Sequence, residues 1–258
     1  MTEDLARDDW DKHWADFSEA SEKGPATLYR HSSIIRLLDI PGEGQNVRLL
    51  DIGSGTGGFA KLFCATFPQA ALLGLELSEA GVMMAKARVP GASFEKTDLL
   101  QGPDTDDPIE FNATHAICSE VLEHLDDPVR LLRNARRYMA PGCRLVVTVP
   151  GGKPNKFDVF IGHRKHYTGE MLRIELEAAG FDVNVSTGSG FPFFNAYRML
   201  TTMRGDQLKR DVSGKPSWMV RVGSVVFGIL FRFNLKSYGW QTVAVCRSAA
   251  GKSIPANT

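Results

Sequence analysis

The stretch Asp51-Ile52-Gly53-Ser54-Gly55-Thr56-Gly57-Gly58 concentrates the residues best suited to holding a ligand. Glycines are needed where a backbone turns tightly and a ligand must come within contact distance of the main chain. An apolar run precedes the loop, and Phe59, Leu62 and Phe63 follow at helical spacing. The loop therefore joins a strand to a helix, whose N-terminus offers free N–H groups and a partial positive charge. Glu76 stands 23 positions after Gly53, where an acid can accept both hydroxyls of an adenosine ribose. Two ligand patterns fit. Gly53, Gly55 and Gly58 match a dinucleotide fingerprint, whereas Gly53, Gly55 and Gly57 match a loop that holds an adenosyl amino acid. Three acids favour the second. Asp51 suits an ammonium and would repel a pyrophosphate, Asp98 is placed to accept from an adenine amino group, and Glu120 adds a further carboxylate to the crevice. An acid-lined pocket suits a cation better than a dinucleotide.

The elements that must position these residues are legible as alternating strands and helices. Val47–Ile52, Ala71–Glu76, Ser93–Thr97, His115–Ser119, Arg144–Val149, Asp182–Thr187 and Trp240–Cys246 read as strands. Asp127-Pro128 places a cap before a first-turn proline, and the helix that follows is expected to run until Pro141-Gly142. Thr168 can cap a helix that carries Met171, Leu172 and Leu176 and ends at Gly180. Strand–helix alternation with short connections predicts an α/β fold with a parallel, doubly wound sheet. The expected division is an N-terminal helical cap over 1–46, with helices around Trp10–Ser18 and Leu28–Leu38, and a core over 47–188. An insert spans 189–238, the last strand of the core 239–248, and a disordered tail 249–258.

Four motifs in order, Leu49–Gly57, Gly74–Ser78, Lys96–Leu99 and Cys118–Leu125, resemble the successive motifs of class I S-adenosylmethionine-dependent methyltransferases of the small-molecule type. The likeness covers about residues 47–185 and the last strand. It implies a Rossmann-like sheet of seven strands with the last one antiparallel, and S-adenosylmethionine as cofactor. By the same resemblance Asp51, Gly53, Gly55 and Gly57 would hold the methionine part, Glu76 the ribose, and Asp98 with Leu99 the adenine. Ser54, Thr56, Leu77 and Glu120 complete the implied cofactor set.

Methyl transfer to carbon-bound oxygen needs an in-line nucleophile, and an oxygen nucleophile usually also needs a base or a metal to take its proton. The candidates lie in Glu120-Val-Leu-Glu123-His124 and in Gly162-His163-Arg-Lys-His166-Tyr167-Thr168. His166 or His163 would be the general base, with His124 at the crevice edge. The alternative is that His166 and Tyr167 only lead into the helix capped by Thr168. Glu120, Glu123 and His124 could ligate a divalent ion with His163 or His166, an arrangement similar to that of methyltransferases of small-RNA 3′ ends and of the coenzyme Q pathway. Glu-x-x-Glu-His also occurs in members that use no metal, so no metal is assigned. The expected reaction is transfer to a small or lipid-linked acceptor, at a hydroxyl oxygen. The rivals are a metal-assisted RNA or catechol O-methyltransferase, a nicotinamide-dependent oxidoreductase and a non-catalytic cofactor-binding scaffold.

Composition narrows the partners. The 258 residues are 43% hydrophobic and 23% charged, with 30 bases balancing 30 acids, which excludes disordered, collagenous and coiled-coil classes. No apolar run reaches about 18 residues, the polar, acidic start is not a secretory leader, and four dispersed cysteines suggest reduced thiols in the cytoplasm. The zero net charge hides an asymmetry. Residues 1–23 carry eight acids against three bases, and residues 198–236 eight bases against two acids. No basic stripe with interleaved aromatics points to nucleic acid. The insert holds Phe191–Tyr197 and an apolar stretch, Val222–Phe231, between Arg221 and Arg232. It is read as a lid over a small-molecule or lipid-like acceptor, as a peripheral membrane contact through 216–236, or as plain packing.

Overall fold

A computed structural model describes Trp10, Asp11, Trp14 and residues 24–102, 107–155, 158–159, 161–204 and 218–249. All seven expected strands are present: β1 (Arg48–Ile52), β2 (Ala71–Glu76), β3 (Ser93–Lys96), β4 (Ala113–Ser119), β5 (Met139–Pro150), β6 (Phe181–Ser189) and β7 (Gln241–Ser248). They form one sheet in the order β3-β2-β1-β4-β5-β7-β6, with β7 antiparallel to both of its neighbours. The helices are α1 (Pro25–Leu38), α2 (Gly58–Thr66), α3 (Glu79–Arg88), α4 (Pro128–Arg136), α5 (Gly169–Ala178), α6 (Phe193–Arg204) and α7 (Trp218–Leu230).

The central strands read as continuous apolar runs because both faces of the sheet are covered. Successive residues go to opposite layers: Leu50, Leu73, Leu145 and Val147 join a core with Leu132 of α4 and Leu172 of α5. Their neighbours Leu49, Leu72 and Val146 join another with Ile34 of α1, Phe63 of α2 and Val82 of α3. The expected caps form: the Asp127 side chain accepts from Arg130 N–H and the Thr168 hydroxyl from Met171 N–H. The helix after Asp127 is shorter than the sequence suggested. It stops at Arg136, and Pro141-Gly142 lies within β5. Pairing of Ala113 with Met139 draws the chain into the sheet two residues after the helix cap. The expected helix around Trp10–Ser18 lies outside the described residues except for Trp10, Asp11 and Trp14, and the tail beyond 249 lies outside them too. The expected insert holds α6, α7 and a 3-10 turn, Phe231–Phe233.

β1 pairs on one side with β2 and on the other with β4. The connections leaving β1 and β4 therefore diverge to opposite sides, and open α/β sheets bind ligands in the crevice this leaves at the carboxyl ends of the strands.

Candidate active site

A cavity of about 490 Å³ occupies that crevice. One wall is the loop after β1. Gly53 has φ 71°, and a Cβ there would lie 2.4 Å from Val121 Cγ2; only glycine brings the backbone this close to the chain leaving β4. Asp51, at 3% exposure, sits beneath the loop, and its Oδ2 is buried with no hydrogen-bond partner. Burial, and then the charge of Glu76, push the Asp51 carboxyl up to about 7, since a low-dielectric site disfavours the ionised form. The Glu76 carboxylate accepts from Gly55 N–H at 2.8 Å and Ser78 N–H at 3.0 Å. Burial raises its pKa, while these bonds and one from the Trp14 side chain oppose the rise.

Of the residues expected to hold a cofactor, Asp51, Gly53, Ser54, Gly55, Thr56, Glu76, Leu77, Asp98, Leu99 and Glu120 all line the cavity. Gly57 does not. It caps α2 with φ 78°, and a Cβ there would lie 3.1 Å from Ala85 of α3, while Gly58 lines the cavity. The N-terminal segment reaches the same loop. Trp14 lies against Gly55 and Gly81, and Asp11 accepts from Ser78 Oγ and Ala80 N–H at the start of α3.

The wall formed by the segments after β4 and β5 carries the histidines. Glu120 adopts φ 57°. Its carboxylate accepts from Gln241 Nε2 at 3.0 Å and lies 3.5 Å from Arg30. Glu123 is fully buried, and neither carboxylate oxygen has a hydrogen-bond partner; burial and the nearby Glu120 hold its pKa well above the usual range. His124 contacts the rings of Trp10 and His163 edge-on, at 4.8 and 4.7 Å. His163 lines the cavity, and His166 lies behind it, with His163 Nδ1 and His166 Nε2 3.1 Å apart. His166 Nε2 is 3.5 Å from Asp158 Oδ2, and Asp158 is fixed by Arg198 at 2.8 Å. Burial, then His166 and Arg198, press the His163 imidazole down to about 3. Donor atoms of Glu123, His124 and His163 lie within 4.8 Å of one another, as do those of Asp158, His163 and His166.

Sequence reasoning did not find Asp158, Arg198 or Arg30. Arg198 carried a usable signal, being the one charged side chain between Phe193 and Met203. Asp158 and Arg30 carried none, since each is an isolated charge whose partner is distant in sequence.

The buried, unpartnered Asp51 oxygen beside a loop that excludes side chains fits an amino-acid ammonium. Glu76 keeps acceptor capacity for ribose beyond its two backbone bonds. These residues fit S-adenosylmethionine.

Residues 6–186 match the family described as methyltransferase domain. The chain is 34% identical over 104 residues to a trans-aconitate 2-methyltransferase of Methylobacterium nodulans, covering 40% of this chain and 38% of that protein. It is 35% identical over 137 residues to the enzyme of the same name from Deinococcus radiodurans, covering 52% and 47%. The matched stretch thus spans less than half of either relative. Among solved structures, phosphoethanolamine N-methyltransferase 2 of Haemonchus contortus, in complex with S-adenosyl-L-methionine, superposes with a TM-score of 0.64 at 17% identity. That alignment covers 93% of this chain and 57% of the other.

Proposed function

Since the chain belongs to the class I S-adenosylmethionine-dependent methyltransferases, we propose that it moves the methyl group to a hydroxyl oxygen of a small or lipid-linked acceptor, with His163 receiving the proton. The observation that carries this reading is the line His163–His166–Asp158–Arg198 at the cavity wall. When His163 donates from Nδ1 to His166, its other nitrogen keeps a lone pair toward the cavity, as a general base requires. In that tautomer His166 Nε2 accepts, so Asp158, fixed by Arg198, acts once the proton has passed from His163 Nδ1 to His166 Nε2, 3.5 Å from its carboxylate. That pairing offsets the burial that presses the lone His163 imidazole down. His124 meets the His163 ring edge-on at 4.7 Å. When bound, S-adenosylmethionine supplies an already activated methyl group, so the protein's share is orientation and proton acceptance.

The relatives named for trans-aconitate act on a carboxylated acceptor. Among the described residues each arginine that lines the cavity faces an acid, Arg30 toward Glu120 at 3.5 Å and Arg198 toward Asp158 at 2.8 Å. That supports a neutral hydroxyl acceptor over a carboxylate. Free thiols at Cys64, Cys118, Cys143 and Cys246 support a reducing compartment such as the cytoplasm.

Methyl-labelled S-adenosylmethionine, incubated with the full chain and a small-molecule extract, tests the proposal by mass spectrometry. His163→Ala is expected to lower label transfer by about 100-fold or more while S-adenosylhomocysteine affinity stays unchanged. Full transfer by the variant removes His163 from the mechanism.

A second reading is favoured by the buried, unpartnered Glu123 carboxylate beside His124 and His163. These three residues would hold a divalent cation, which would lower the acceptor's pKa as a Lewis acid. Chelation distinguishes the two. Unchanged transfer after EDTA excludes the metal reading, and loss restored by Mg²⁺ or Zn²⁺ replaces the first reading with it.

A further inference from the structure

Helices α6 and α7 bury one side and leave the other bare. Phe194, Tyr197, Phe227 and Phe231 interlock, and Tyr29 of α1 joins them. This cluster accounts for the inward face. On the outward face Val222, Val225, Ile229 and Phe233 follow one another at helical spacing with exposures of 54%, 64%, 52% and 68%. Leu200 and Met203 of α6 are also exposed, at 47% and 76%. A contiguous apolar surface of this kind marks a binding face.

Charge says what covers it. From Phe193 to Arg204 and from Trp218 to Trp240 there is no aspartate or glutamate, while Arg232 and Lys236 stand exposed beside the apolar stripe. Tyr238 and Trp240, both exposed, lie just beyond. Apolar side chains in a stripe, basic residues at its border and amphipathic aromatics next to them make up the pattern of a helix lying in a lipid interface. Among the described residues no helix is long and apolar enough to cross a membrane. At about 1.5 Å per residue the 13 residues of α7 extend about 20 Å, short of the roughly 30 Å hydrocarbon core. The helix would therefore lie in the surface plane.

We propose that the α6–α7 face docks on anionic phospholipid membranes, with Val225, Ile229 and Phe233 entering the headgroup boundary and Arg232 and Lys236 meeting lipid phosphate. The face also borders the active site. Arg198 of α6 lines the cavity, while Leu200 and Met203, within two turns of it, face outward.

The test is flotation of the full chain with vesicles of phosphatidylcholine alone and of phosphatidylcholine with one quarter phosphatidylglycerol, at low and high salt. Binding is expected to the anionic vesicles, to be about tenfold or more weaker on neutral ones, and to weaken with salt. V225D with I229D, both at exposed positions, should reduce partition about tenfold or more while S-adenosylhomocysteine affinity and thermal unfolding stay unchanged. R232E with K236E gives the same loss without touching an apolar residue. Absent binding by the unaltered chain, or binding by both double variants as strong as that of the unaltered chain, overturns the proposal. A dimer in sedimentation velocity that V225D with I229D converts to a monomer also overturns it, since the face would then belong to a second copy.

Discussion

Replacing Asp51 by asparagine is expected to move folding stability and cofactor affinity in opposite directions. The Asp51 carboxyl is raised from 3.8 to about 7 by burial and by Glu76. A rise of about three pH units at about 1.36 kcal/mol each means that ionising Asp51 costs the ligand-free fold about 4 kcal/mol. The sign follows from proton binding. Between about pH 4 and about pH 7 the folded state holds a proton that the unfolded chain has lost, so stability falls as pH rises through that window and is level above it. The Asp51→Asn substitution would remove this dependence and, at about pH 8, stabilise the ligand-free chain by on the order of 1–4 kcal/mol. At about 2–4 °C per kcal/mol, that is a visible rise in Tm. The cofactor's ammonium reverses the balance, because a nearby cation favours the carboxylate. Losing a charge-assisted hydrogen bond of about 1.5–3 kcal/mol weakens S-adenosylhomocysteine binding about 10- to 150-fold. In the unaltered chain the affinity should also fall as pH drops below about 7, by up to about tenfold per unit, and in the variant it should not. Differential scanning fluorimetry and calorimetry across pH read both quantities. A variant that is less stable and binds as tightly as the parent, or a parent affinity flat with pH, refutes the reasoning.

Two further substitutions check the frame around the site. Gly53→Ala places a methyl 2.4 Å from Val121 Cγ2 at φ 71°, so denaturant unfolding should show a loss of about 1–3 kcal/mol, with cofactor affinity falling about tenfold or more; a fully binding variant would contradict the tight loop. Thr168→Ala removes the hydroxyl that caps α5 and should cost about 1 kcal/mol in the same assay with cofactor affinity unchanged; no change in stability would mean that the cap contributes nothing.

The fold was legible because the sheet is buried on both faces. Strand-length apolar runs such as Arg144–Val149 had few other readings, and Asp127 and Thr168 announced their helices by cap chemistry. The end of α4 was not legible, because Pro141-Gly142 looks like a helix stop and is instead part of β5. Pairing across the sheet decided that, and one segment's sequence does not carry it. The acid-lined side of the cavity could be read from Asp51, Glu76 and Asp98 because each stands at or just past the carboxyl end of its strand, β1, β2 and β3 in turn. The histidine side was only partly legible. The sequence named His163 and His166 without ranking them, and their order from the cavity depends on Asp158 and Arg198. Arg198 arrives from the insert 40 residues after Asp158.

A crystal structure with S-adenosylhomocysteine bound to the full chain tests the central claim most directly. The account predicts the ammonium against Asp51, the ribose hydroxyls on Glu76, the adenine beside Asp98 and Leu99, and the sulfur facing His163. A ligand whose ammonium lies away from Asp51, or whose sulfur faces away from His163, would contradict it.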